Sequence, residues 1–138
     1  MKNFRILNPK FYLSVGYYLL GLIGNKKLYA IRFFEKSLNY WPLPKHSYLC
    51  FKEIGIIYYH NDFFEKAKCF LRKAEALTAQ DELDVELLTF LGLVHYAQED
   101  NLTAKRYFEM ALSRYSKFEW IKKDFISTHL RAVEYKLK

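Results

Sequence analysis

Little in this chain supports metal, redox or phosphate chemistry. Its 138 residues include two cysteines, three prolines and five glycines. Cys50 and Cys69 stand outside any metal-ligand spacing, and no His-x3-His, Cys-x2-Cys or glycine-rich phosphate loop occurs. The acidic cluster Asp81, Glu82, Asp84 and Glu86 lacks the glycine-containing loop that holds calcium. No cofactor, metal or catalytic residue is therefore expected, and no enzyme. Few cysteines and no recognisable cleavable leader lead to the expectation of a reducing, cytoplasmic compartment, with a place peripheral to a membrane left open. Strand-type alternation and low-complexity segments are missing too, which leaves helices. The longest uncharged run, residues 11–24, would rise about 21 Å as a helix, short of the ~30 Å of a bilayer core.

What the chain does contain is repetition. Ala30, Ala67 and Ala104 are spaced by 37 residues, as are Ser37, Ala74 and Ala111. Phe34, Leu71 and Phe108 form a large apolar column between them, with Phe33, Phe70 and Tyr107 beside it. Small, large four later and small three later describes a helix face packed closely on a neighbour. Upstream, Phe51, Ile54, Gly55 and Tyr58 match Leu88, Leu91, Gly92 and His95. A glycine without Cβ lets the second helix of a hairpin approach the first. The order large, large-Gly, aromatic, then small, large, small resembles the tetratricopeptide repeat.

That resemblance implies an all-α fold: an α-α superhelix of stacked helical hairpins, about seven helices in one domain spanning 1–138. The repeats are drawn at about 11–44, 46–80 and 83–116, with a capping helix over 117–137. The first unit departs from the pattern. Tyr18 stands in its glycine column, Gly21 in its aromatic column and Ser14 in its first large column, and a two-residue shift would place Gly16 in the glycine column instead.

Local signals set the boundaries. Helices are predicted over about Lys10–Ile23, Lys27–Tyr40 and His46–His60. Asp62 and Glu65 have capping-box spacing for a fourth ending near Thr78. Asp81 or Asp84 opens a fifth reaching about Gln98, Asp100-Asn101 marks the next turn, and a sixth extends to about Arg114. Ser116 and Glu119 suggest a cap for the seventh, whose apolar stripe would be Phe118, Ile121, Phe125, Leu130, Val133 and Leu137. His95 replaces Tyr58 in an interhelical column, so a packed histidine is expected. Position in a last turn favours a partly protonated His60. Cys50 reads as buried and Cys69 as exposed.

The net charge of +7 is uneven. Residues 1–45 carry eight Lys/Arg against Glu35 alone; residues 46–116 carry eight basic and eleven acidic residues; residues 117–138 carry six basic and three acidic. Basic ends suit an acidic partner or anionic lipid, although a solvated basic surface is the plainer reading.

In the resembling family the first helix of each hairpin lines a concave groove. The corresponding positions are Leu49, Lys52, Glu53, Ile56, Tyr59 and His60 in the second unit. In the third they include Thr89, Phe90, Leu93 and Tyr96. The resemblance thus implies a protein-interaction adaptor or assembly factor binding an apolar or aromatic peptide segment. The basic carboxylate clamp of one branch of the family has no counterpart here, and the recurring polar pairs of RNA-reading repeats are missing, so nucleic acid is not expected. The alternative is a structural subunit of a larger or membrane-associated assembly. It would dock through the first helix (Tyr12, Val15, Leu19, Leu22) and the basic N-terminal end. Three readings of that helix stay open: buried, docking face, or membrane-surface anchor.

Overall fold

The computed structural model describes residues 8–117 and 119–138. Among these the chain is all-α, with seven α-helices. They are α1 (Pro9–Ile23), α2 (Ala30–Tyr40), α3 (Pro44–His60), α4 (Phe64–Ala76), α5 (Val85–Ala97), α6 (Asn101–Ser113) and α7 (Lys123–Lys136). The chain divides into two compact units, residues 1–78 and 79–138.

In the first unit α1 packs on α2, α2 on α3, and α3 on α4. The repeat columns explain why. Ala30, Phe34 and Ser37 of α2 are buried, as are Ala67, Leu71 and Ala74 of α4. A Cβ placed on Gly55 would stand 2.6 Å from Leu71, so only glycine permits this approach of α4 to α3. Ala30, Ile31 and Phe34 pack with Cys50, Ile54 and Ile57 of α3, with Tyr18 and Tyr58 against them.

The second unit repeats the hairpin. Ala104, Phe108 and Ala111 of α6 are buried, and a Cβ on Gly92 of α5 would meet Phe108 at 2.7 Å. α7 packs on α6, burying Ile126 and Val133.

The first hairpin required a different register from either alternative considered above. Gly21, rather than Tyr18 or Gly16, faces the large residue of the second helix: its Cβ would lie 2.7 Å from the Phe34 ring, whereas Gly16 has nothing within 4 Å. Gly21 and Gly55 are 34 residues apart, so the first helix is offset by about one turn from the 37-residue spacing of the second helices. The saving lies in the turn. Lys27–Tyr29 forms a hydrogen-bonded turn leading into α2 rather than its start, and Asn25 and Lys26 take left-handed φ values of 47° and 67°.

Two cap assignments also change. Asp62 does not cap α4: it has φ 66°, and no side-chain cap bond forms at that helix start. α7 begins at Lys123, not near Ser116, because Tyr115 organises the preceding segment. Its hydroxyl donates to the Ile121 carbonyl (2.8 Å) and accepts from the Lys123 amide (3.1 Å). The buried stripe of α7 then contains Ile126 and Val133, while Phe125 and Leu137 are exposed; Phe118 lies outside the described residues. By contrast Asp84 and Asp100 cap α5 and α6, accepting from the Leu87 amide at 2.7 Å and the Thr103 amide at 3.3 Å.

Candidate functional site

α1 is built to be held on one side and left apolar on the other. Asn8 caps it by accepting from the Lys10 amide (3.0 Å), with Pro9 in the first turn, where its missing N–H is harmless. The inner side carries Tyr17, Tyr18 and Gly21. Tyr18 meets Phe34 edge-on at 5.4 Å, and Tyr17 stacks on Tyr40 at 5.7 Å. Phe11 meets Trp41 edge-on at 5.4 Å.

The outer side holds Tyr12, Leu13, Val15, Gly16, Leu19, Leu20, Leu22 and Ile23, all exposed. Ile23 is 76% accessible, Tyr12 54% and Leu19 52%. No charged side chain interrupts this face, although α2 turns Arg32, Glu35 and Lys36 outward. Among the described residues, then, the first helix is not wholly buried.

Counting from the paired glycines, Leu20 of α1 corresponds to Ile54 of α3, and Ile23 to Ile57. Ile54 and Ile57 are 1% exposed because they pack on α2. Among the described residues nothing covers, on α1, the face with which α3 packs on α2. Contiguous exposed apolar surface of this kind marks interaction sites.

A buried polar node fixes α1 in place. Ser37 Oγ donates to the Ser14 carbonyl (2.6 Å), and Ser14 Oγ donates to the Ser37 carbonyl (2.9 Å). His46 Nε2 lies 2.8 Å from Ser14 Oγ and 2.7 Å from Ser37 Oγ. With both hydroxyl protons directed at carbonyls, the hydroxyl oxygens act as acceptors and the neutral imidazole carries its proton on Nε2. Burial lowers the His46 pKa, opposed by a hydrogen bond to the Ser37 backbone. Cys50 Sγ completes the node at 3.4 Å, its thiol pushed up to about 12 chiefly by burial.

Ser14 and His46 have the separation of a nucleophile and its base. Yet Ser14 is 1% exposed and its hydroxyl is tied to α2, so the arrangement clamps helices rather than reaching a substrate. Sequence reading missed this node. Its visible signals were Ser37, standing where the other units have Ala74 and Ala111, and Ser14, standing where they have Phe51 and Leu88.

The turn after α1 is also tied down. Asn61 Nδ2 donates to the Lys26 and Ile57 carbonyls, at 2.9 and 2.7 Å. Lys26 Nζ lies 3.5 Å from Glu53. Near the other end of α1, an apolar cleft of about 500 Å³ is lined by Phe11, Trp41, Leu43 and Leu49, with Lys45 and His46 at its edge.

The expected groove positions divide by burial. Lys52, Glu53, Ile56, Thr89, Phe90 and Leu93 are all buried; Tyr59 and Tyr96 are half-buried; Leu49 and His60 are exposed. Thr89 donates to its own helix at Val85 O (2.7 Å). Lys136 Nζ sits 4.8 Å above the Tyr96 ring, which α7 therefore partly covers. The Tyr59 pKa is raised by burial and by nearby Asp62. His60 departs from expectation: partial desolvation of its ring and the nearby Lys26 charge lower its pKa, although part of the side chain reaches solvent.

His95 is packed, 4% exposed, stacked on Tyr107 at 5.5 Å with Nδ1 3.3 Å from Asp100. Desolvation opposes ionisation of Asp100, but its bonds to Thr103 and the His95 ring win and hold its carboxyl below the usual range. Cys50 is buried and Cys69 exposed, as anticipated. Among the described residues no three His, Cys, Asp or Glu side chains gather as metal ligands, and no helix is long and apolar enough to cross a membrane. No protein-family model matches the chain, and no curated protein matches it either.

Proposed function

We propose that this protein is a non-catalytic attachment module, a structural subunit that docks onto a larger assembly through the outer face of α1. One observation carries the reading: Leu20 and Ile23 lie open on α1 while their counterparts Ile54 and Ile57 on α3 are packed against α2. Held in place by the Ser14–Ser37–His46 node, these open side chains form a preorganised apolar surface. The peptide-groove reading draws less support, since six of its ten positions are buried.

The test is the size of particle in which the whole chain travels in its native lysate. Wild type should migrate well above its own 16.6 kDa. A Leu19→Glu/Ile23→Glu variant with unchanged helicity should return to that mass. Wild type migrating alone, or a folded variant staying with the particle, would overturn the reading.

A further inference from the structure

Resting on that role for α1, we infer that the surface it meets is an anionic lipid bilayer, on which the helix lies in the plane of the headgroups.

The first argument is charge. Lys10 stands at one end of α1 and Lys26 and Lys27 just past the other, with Lys10 and Lys27 exposed. No acidic residue precedes Glu35 in the sequence. Glu53 lies 3.5 Å from Lys26 and offsets that ammonium, so the exposed charges that bracket the face are those of Lys10 and Lys27. An apolar face bracketed by ammonium groups complements acyl chains bracketed by phosphates.

The second argument is the lack of any register-fixing group. Between residues 12 and 23 the outer face contains one side-chain hydrogen-bonding group, the Tyr12 hydroxyl. Protein interfaces surround their apolar centre with a rim of paired donors and acceptors, which sets orientation. This face sets none, as suits a fluid apolar phase. At 3.6 residues per turn its exposed positions sweep about half the helix circumference, wider than the seam one packed helix covers.

The third is the placement of aromatics. Tyr12 begins the aliphatic face and Tyr29, 60% exposed, follows its end. Amphipathic rings of this kind favour the headgroup level. A second copy of the chain is a poorer occupant, because pairing two such faces would bring cationic ends together. α1, at about 22 Å, is too short to span the bilayer, so it lies on it.

The experiment is co-sedimentation of the whole chain with vesicles of phosphatidylcholine alone, or with roughly 30% phosphatidylglycerol, an anionic surface. Wild type should pellet with the anionic vesicles and release as salt rises. Neutral vesicles should bind at least about tenfold less, and Leu19→Glu/Ile23→Glu, checked for helicity, should lose binding by a similar factor. Folded wild type left in the supernatant, or a folded variant that pellets equally, would overturn the inference. The lysate migration then separates the two claims. If vesicles fail but migration still depends on α1, the attachment reading stands and a helical protein is the occupant. If migration is also independent of α1, both fall.

Discussion

Gly21 and Phe34 approach so closely that a Cβ on the glycine would stand 2.7 Å from the phenylalanine ring. Gly55 with Leu71 and Gly92 with Phe108 repeat the relationship, so each hairpin closes on one glycine and one large side chain.

Gly55→Ala and Gly92→Ala should each destabilise by about 1–3 kcal/mol, the cost of forcing a methyl into a packed core. Gly16→Ala meets open space on a helix and should stabilise by up to about 1 kcal/mol. Denaturant midpoints of the three variants check this, and equal effects at all three sites would remove the close-approach argument.

Ser37→Ala should cost about 1–3 kcal/mol despite matching Ala74 and Ala111. It takes a donor from the Ser14 carbonyl and an acceptor from His46 in a buried setting. A neutral result by thermal unfolding would mean the node contributes only packing.

The His46 and His60 pKa values are lowered from 6.5. The unfolded chain therefore binds more protons below that point. The stability this gives is complete above pH 6.5 and declines as pH falls from 6.5 toward the folded values. His46→Gln should flatten part of the decline in a pH series of unfolding midpoints. An unchanged slope would place the imidazole in contact with bulk water.

Asp84→Ala and Asp100→Ala should each cost about 1 kcal/mol through loss of a helix cap. Asp62→Gly should instead stabilise, by up to about 1 kcal/mol, because its φ of 66° lies in the left-handed region glycine prefers. Chemical denaturation distinguishes the two classes, and a loss at Asp62 would restore it as a cap.

Leu19→Glu should leave the far-ultraviolet spectrum and melting temperature nearly unchanged, since its side chain already faces solvent. Ile56→Glu, at a position with no exposure, should unfold the first unit or cost more than about 3 kcal/mol. The contrast makes the α1 substitutions usable as binding probes and rules out Ile56 for that purpose.

The sequence by itself determined the all-helical class, the second helices of the hairpins and the columns they bury. Ala30, Phe34 and Ser37 recur at fixed spacing because a small-large-small face is a local property of one helix. It also narrowed the cap of α5 to Asp81 or Asp84 and marked a turn at Asp100-Asn101, where the structure places the caps Asp84 and Asp100, whose side chains need reach only three residues ahead. What only tertiary structure decided was the register of α1, the Ser14–Ser37–His46 node and which apolar residues stay open. Gly21 is recognised by the ring it faces, and that ring arrives across a turn whose left-handed Asn25 and Lys26 no periodicity records. Leu20 and Ile54 are nearly the same side chain in corresponding places, yet one is 44% exposed and the other 1%. Burial depends on the neighbour, and a residue's own chemistry does not specify whether a neighbour is there.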